Sequence, residues 1–392
     1  MEGYDAMNIA IDYTAGLVQR AGVGRYTRGL VQALTADPQG DTYTLLYTRD
    51  AEPAAADVRP AFPEHVRWQR LPFTQRQAAL LWQRVRLPLP GDRWAGDADI
   101  YHSPDFVLPP LKRARGIVTV HDLSFLVRPE FHEPSLARYL QRAVPRSVEQ
   151  AAHIFADSEY TRQELQRHLG VAPERVSVVY PGVEPRFRPY DFGNEADHQE
   201  LMQVRAAFSL DAPFILFVGT IEPRKNIRTL IRAYRLLRQK MKFVFHELII
   251  AGGIGWGESD DIYTFVDDLR LGGHVLFAGY VADAFLPALY NLADLVVYPS
   301  HYEGFGLPVL EAMACGTPVV TGRNTSLPEV GGDAVLYVDD VEDEEALAEA
   351  MHRALNDKEL RAELRQKGLE HAKRFTWERA AEQARQAYRR LV

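Results

Sequence analysis

The stretch EGFGLPVLE, residues 303–311, sets two carboxylates at the ends of a short apolar run that opens with two glycines. A carboxylate accepts two hydrogen bonds, so it matches the vicinal hydroxyls of a sugar or ribose. Pro308 suits a first helical turn and Gly316 suits the position just past LPVLEAMAC, which puts Glu303 on a loop and Glu311 inside a helix. Gly304 and Gly306 let backbone N–H groups approach a ligand at that helix N-terminus, where the dipole favours an anion. The two carboxylates are therefore expected to grip two polyols separated by a phosphate. A surface glutamate beside a plain glycine turn would give the same spacing.

Three further stretches carry groups of the right type. In GTIEPRKN, residues 219–226, Arg224 and Lys225 lie between a strand and a helix, placed to neutralise a diphosphate by forked and point-charge contacts. AGVGRY, residues 21–26, is not a dinucleotide fingerprint, because Thr27 stands where a third glycine should be and TAGLVQR is too long for the tight turn. Gly22 and Gly24 are read as a glycine-rich loop entering a ligand cleft, or as a plain turn. VTVHDLSF, residues 118–125, ends a strand with His121 and Asp122, either a site pair or a buried histidine satisfied by its neighbour; His102 in YHSPD ranks below it.

Other chemistries find little support. The twelve histidines show no HExxH or paired Cys/His spacing, so no metal is expected. There is no GxSxG elbow and no Walker A loop. Asp260–Asp261 and Asp267–Asp268 read as solvated pairs, and Cys315 as packing on a helix. Two basic amphipathic stretches, one with Arg76, Arg84 and Arg86 among Leu80, Leu81 and Trp82, the other with Arg138, Arg142 and Arg146, read first as solvated faces. Either could also meet anionic lipid or an acceptor phosphate.

The elements that must position these groups are legible as two series of short β-rich runs alternating with helix-period stretches. The first is MNIAIDY, TYTLLYT, ADIYHSP, GIVTVHDLSF, HIFADS and RVSVVYPG; the second is FILFVGT, ELIIAGG, HVLFAGY, LVVYPS, PVVTG and AVLYVDD. Near-continuous apolar strands between amphipathic helices indicate parallel sheets covered on both faces, with ligands beyond the carboxyl ends of the strands. Asn226 is read as the N-cap of a helix whose buried face is Ile227, Leu230, Ile231, Tyr234 and Leu237. A length of 392 residues suits two domains: 1–188, a linker over 189–212, 213–374, and a last helix over 375–392. With 46% hydrophobic and 25% charged residues the composition is that of a soluble globular protein, and a formal charge of −8 argues against a dedicated nucleic-acid binder. A single cysteine fits a reducing compartment, and the start lacks a signal-peptide apolar region, so a cytoplasmic protein is expected, at most peripheral to a membrane.

Taken together, GVGRYTRGL, HSPDFVLPP, TVHDLSFL, ADSEYTRQEL, VVYPGV, FVGTIEPRKN, LIIAGG, YPSHYEGFGLPVLEAMACGTPVV and SLPEV resemble glycosyltransferase family 4, in order over nearly the whole chain. The resemblance implies an α/β GT-B fold, two facing Rossmann-like doubly wound domains about a central cleft, with the first domain on the acceptor side and the last helix crossing back to it. It implies a retaining, metal-independent transferase without a cofactor, whose co-substrate is a sugar nucleotide. HSPDFVLPP and TVHDLSFL look most like bacterial GDP-mannose-dependent mannosyltransferases of polysaccharide assembly.

By the same resemblance Glu311 would hold the nucleotide ribose and Glu303 the transferred sugar. Arg224 and Lys225 would hold the diphosphate, aided by Gly24 and the backbone of Gly304, Phe305, Gly306 and Leu307, with Gly22 and Gly219 also in the nucleotide-sugar site. His121 would contact the sugar near its anomeric carbon, and Gly279, Tyr280 and Val281 would lie near the base. His301 receives no role. The expected activity is transfer of a hexose, mannose first, to a glycan or lipid-linked glycan, by a front-face route or a double displacement. Rival readings are a UDP-hexose transferase, an epimerase on the same architecture, and a silent sugar-nucleotide-binding regulatory protein. Oligomeric state is left open.

Overall fold

Alternate residues of a strand face opposite sides of its sheet, so a sheet covered on both faces needs apolar residues at every position. The first strand shows this directly: Ile9 and Ile11 enter one core with Leu30, Leu34, Ala380 and Ala384, while Ala10 enters another with Leu46, Val118 and Val144. The computed structural model describes residues 6–240, 244–257 and 261–392. Asp260 of the acidic pair above lies outside them.

The chain divides into two units, one of residues 1–127, 134–182 and 375–392, the other of 128–133 and 183–374. The first holds a seven-stranded sheet built from β1 (Asn8–Asp12), β2 (Thr42–Tyr47), β3 (Arg67–Arg70), β4 (Ile100–Ser103), β5 (Arg115–Val120), β6 (His153–Ala156) and β7 (Val176–Val178). Its order is β3-β2-β1-β4-β5-β6-β7, parallel throughout. The second holds β8 (Phe214–Val218), β9 (Glu247–Ala251), β10 (Val275–Gly279), β11 (Leu295–Tyr298), β12 (Val319–Gly322) and β13 (Leu336–Val338). Their order, β10-β9-β8-β11-β12-β13, repeats the pattern and is again parallel. Both are doubly wound, reversing direction between β1 and β4 and between β8 and β11, where such sheets take their ligands.

Every run quoted in the two series forms a strand. The edge strand β3 escaped because RWQR has no continuous apolar run, being covered only in part. The segment expected as a linker over 189–212 is instead folded into the second unit. Its helix Glu195–Phe208 is capped by Asn194 and buries Asp197, Leu201 and Val204. The division also comes at 182/183 rather than 188, because Arg186 donates to the Asp283 carbonyl (2.6 Å) and Phe187 packs on Tyr290.

The terminal helix Trp377–Arg389 belongs to the first unit, against the helix Gly22–Ala36. Gly29 makes that crossing possible: a Cβ there would lie 2.1 Å from the Trp377 ring. His102 helps anchor the same helix, with its ring nitrogens 2.8 Å from the Tyr388 and Thr119 hydroxyls. Burial drives its pKa down to about 3, so it is a neutral packing residue.

Candidate functional site

In the second unit β8 and β11 flank the point where strand order reverses, and the loops leaving both strands bring the charged residues together. Arg224 and Lys225 sit in a single 3₁₀ turn, Pro223–Lys225, after β8. Asn226 follows in a left-handed conformation, its amide donating to the Pro299 and Val341 carbonyls at 3.2 and 2.8 Å. That amide ties the β8 loop to the loop after β11. The next helix, Ile227–Lys240, buries the face read from the sequence.

Glu303 is the centre of the cluster. Lys225 Nζ lies 2.6 Å from its Oε1, Arg224 Nη1 lies 3.1 Å from its Oε2, and the Tyr298 hydroxyl donates to Oε1 at 3.0 Å. Arg224 is braced further by Glu222 (2.8 Å) and the Tyr302 carbonyl (3.0 Å). The loop carrying Glu303 is held by SLPEV and the residue before it: Thr325 Oγ1 accepts from the Glu303 N–H, and Ser326 donates to the carbonyls of Glu303 and Phe305. Thr325 has φ 52°, a left-handed conformation that costs a non-glycine residue energy and is kept only where the surroundings enforce it.

Burial by itself would raise the Glu303 carboxyl, but Lys225 and Arg224 outweigh it and hold its pKa down at about 2. Burial and Arg224 lower the Lys225 ammonium against the pull of Glu303. A folded-state pKa below the unfolded value gives stability that is complete above the unfolded pKa and is lost as pH falls toward the folded one. A drop from 4.5 to about 2 corresponds to about 3 kcal/mol. Glu303→Gln is therefore expected to be less stable than wild type at pH 7, with the gap closing between pH 4.5 and 2. Urea unfolding at a series of pH values measures it, and a constant gap would refute the ion-pair account.

Glu311 is 1% exposed in the helix Leu307–Cys315, where it accepts from the Tyr290 hydroxyl at 3.0 Å. Pro308 and Gly316 occupy the first turn and the left-handed end position, as their types imply. Gly306 precedes the helix at φ 110°, a conformation open to glycine. At the end of β8, Gly219 is crossed so closely by Gly252 that a Cβ on Gly252 would lie 1.8 Å from the Gly219 carbonyl oxygen. Gly279 ends β10, followed by exposed Tyr280 and buried Val281. His301 supports Arg224 by donating its N–H to the Arg224 carbonyl (2.9 Å), and its ring stacks on Phe131.

In the first unit two expectations change. Gly22 and Gly24 are not in a loop but in the first turn of the helix Gly22–Ala36. Gly24 is a packing glycine, since a Cβ there would lie 1.9 Å from the Gln19 carbonyl oxygen. His121 is satisfied not by its neighbour but by Asp157, whose Oδ2 lies 2.7 Å from Nδ1, and by the Pro104 carbonyl, 2.8 Å from Nε2. Its own carbonyl accepts from Thr161 (3.2 Å). Asp122 turns away to accept from Ser124. Both ring nitrogens of His121 thus have partners within the protein. The residues that escaped sequence reasoning, Tyr298, Tyr290, Thr325, Ser326 and Asp157, end or follow strands, apart from Tyr290 on a helix.

Two family models cover the chain in succession, Glycosyltransferase Family 4 over residues 20–187 and Glycosyl transferases group 1 over 199–371. The O-antigen chain mannosyltransferase B of Escherichia coli is 34% identical over 94% of this chain and 96% of its own length. The serotype-specific mannosyltransferase WbdA of the same species is 33% identical over 70% of this chain, which spans 33% of that longer protein. Among solved structures, sucrose-phosphate synthase from Thermosynechococcus elongatus superposes with TM-score 0.74 at 24% identity, covering 98% of both chains. WaaG, a glycosyltransferase of lipopolysaccharide biosynthesis, gives TM-score 0.69 at 19% identity over 96% of this chain and 98% of its own. These likenesses identify the two parallel-sheet units as the GT-B fold. With the relative that matches it from end to end, they show that the chain is a glycosyltransferase and belongs to glycosyltransferase family 4.

Proposed function

We propose that this protein transfers mannose from GDP-mannose, with retention of configuration, to a glycan or lipid-linked glycan in the cytoplasm. The observation that carries the reading is the Lys225–Arg224–Glu303 cluster at the strand reversal of the second unit. Breaking a sugar–phosphate bond leaves a diphosphate whose charge must be met and a sugar with oxocarbenium character. Fixed cations and the N-terminus of the helix Leu307–Cys315 meet the first need without a metal. Glu303 holds the sugar hydroxyls, Glu311 the ribose hydroxyls, and Gly279, Tyr280 and Val281 flank the base. In the proposed front-face step the bond from C1 to the diphosphate oxygen breaks, the acceptor oxygen bonds C1 from the same side, and its proton passes to the departing phosphate. The mannosyl choice is supported by the end-to-end likeness to a mannosyltransferase.

The test is incubation with a panel of sugar nucleotides in EDTA, following donor loss and the product's anomeric signal by NMR. Release of GDP from GDP-mannose with an α-linked product is expected. Turnover of UDP donors only would overturn the donor, and turnover of none would overturn the function.

We also propose that the first unit meets an anionic membrane surface when the acceptor is lipid-linked. No helix among the described residues is long and apolar enough to cross a bilayer. Leu80, Val85 and Leu87, however, are 46%, 57% and 41% exposed beside exposed Arg76, Arg84 and Arg86, the pairing that suits an interface. Exposed Arg138 and Arg142 add charge on a separate helix. Wild type is expected to sediment with anionic but not neutral vesicles, and Leu80→Ser with Leu87→Ser to weaken that about tenfold. Wild type that stays in the supernatant would refute the membrane contact.

A further inference from the structure

Two carboxylates, Glu303 and Glu222, face the cations Arg224 and Lys225, and the four charges cancel. Glu222 Oε1 accepts from Arg224 Nε at 3.1 Å and from Nη2 at 2.8 Å, so it takes the side edge of the guanidinium. The third nitrogen, Nη1, donates to the Tyr302 carbonyl and to Glu303 Oε2. Every nitrogen of the fork that suits a phosphate therefore already donates to an oxygen of the protein. Glu222 also acts electrostatically on Lys225.

The two carboxylates are held differently. Glu303 is buried and fixed by Lys225, Arg224 and Tyr298, with Thr325 and Ser326 on its backbone. Glu222 has one side-chain hydrogen-bond partner among the described residues, Arg224. It stands at the N-cap of the turn Pro223–Lys225 in extended backbone (φ −147°, ψ 157°), yet its carboxylate caps nothing. Its side chain is 19% exposed. The main chain beneath it is fixed: Ile221 donates to the Gly253 carbonyl and accepts from the Gly255 N–H, both at 2.9 Å. A Cβ on Gly255 would lie 3.3 Å from the Glu222 Cβ, so the glycines after β9 let the two loops pack closely. The Glu222 carboxylate can therefore leave Arg224 by turning about its own side-chain bonds, without movement of the loop.

We propose that Glu222 is an internal competitor for the diphosphate: it covers the Nε–Nη2 edge of Arg224 while no donor is bound, turns toward solvent when a diphosphate takes that edge, and returns when the nucleoside diphosphate leaves. The inference rests on the reading that Arg224 and Lys225 hold a diphosphate. A carboxylate oxygen and a phosphate oxygen make the same contact with that edge, so only one of them can occupy it. An anion arriving at four cancelling charges meets little net attraction; with Glu222 turned away it meets a net positive charge. The apparent affinity is lowered by the share of molecules in which the edge is covered.

The experiment titrates GDP, UDP and inorganic pyrophosphate by calorimetry into wild type, Glu222→Ala and Glu222→Gln, each also in an Arg224→Gln background. Glu222→Ala is expected to bind GDP and pyrophosphate about 3- to 10-fold more tightly than wild type. Glu222→Gln gains less, because its amide oxygen still accepts from the guanidinium. In the Arg224→Gln background the gain disappears, since there is no edge left to compete for. A damaged fold does not bind more tightly, so the readout separates competition from structural loss. Unchanged or weaker binding in Glu222→Ala would overturn the proposal and make Glu222 a brace for Arg224. A gain that survives in Arg224→Gln would overturn it too, leaving only a through-space charge effect. If wild type binds neither GDP nor UDP, the proposed function fails while the pyrophosphate titrations still decide the competition. If pyrophosphate binds neither wild type nor Glu222→Ala, both fail.

Discussion

Lys225→Ala is expected to lower kcat about 10²–10³-fold, the range seen when one fixed group that stabilises developing charge is removed. Lys225 is nearly buried, with Glu303 on one side and the Tyr298 hydroxyl 2.5 Å away on the other, so its ammonium is aimed before any ligand arrives. Such a group acts most strongly on charge that grows during reaction, in the proposed step that of the leaving diphosphate, because it needs no reorganisation at that moment. The affinity for GDP should change much less, since in the proposed binding mode Arg224 and the N-terminus of the helix Leu307–Cys315 would still face the phosphates. Single-turnover rates at saturating donor, alongside calorimetric titration with GDP, separate the two effects. Equal losses in rate and affinity would mean that Lys225 only binds. Lys225→Arg is not expected to rescue, because the planar fork cannot occupy the space of a point charge held between a phenol and a carboxylate.

Glu311→Gln is expected to show the opposite profile, GDP affinity falling about 10- to 100-fold with kcat at saturating donor nearly unchanged. A hydrogen bond to a charged group contributes about 1.5–3 kcal/mol, and the amide keeps the shape and the contact with Tyr290 while losing the charge and one acceptor. Glu311 is held in a helix and, in the proposed binding mode, touches the part of the donor that does not react, so its contribution would be the same in ground and transition states. That is the condition under which KM rises and kcat does not. Calorimetry with GDP and with GMP measures it; unchanged affinity for both would remove Glu311 from the site.

The legibility of this chain was uneven for identifiable reasons. The strands of both sheets could be read because burial on two faces forces unbroken apolar runs, and β3 was missed because an edge strand escapes that requirement. The acidic pair was legible because proline and glycine fix where the helix Leu307–Cys315 begins and ends. GVGRY misled: glycines in a first helical turn look like those of a loop, and only the Gln19 carbonyl lying across Gly24 shows what the second one is for. The linker misled as well, since charge and turn residues mark a surface helix as readily as a tether.

Residue types and local spacing by themselves determined the two doubly wound units, the ends of the second of which carry Arg224, Lys225, Glu303 and Glu311. Those properties follow from short-range rules of strand pleat, helix period and turn chemistry. What only the tertiary structure decided is partnership. Lys225 meets Glu303 across 78 residues, and His121 meets Asp157 across 36 rather than Asp122 beside it. The physical reason is that a parallel sheet gathers the ends of strands distant in sequence. Burial there makes each charge depend on whichever opposite charge the fold delivers to it.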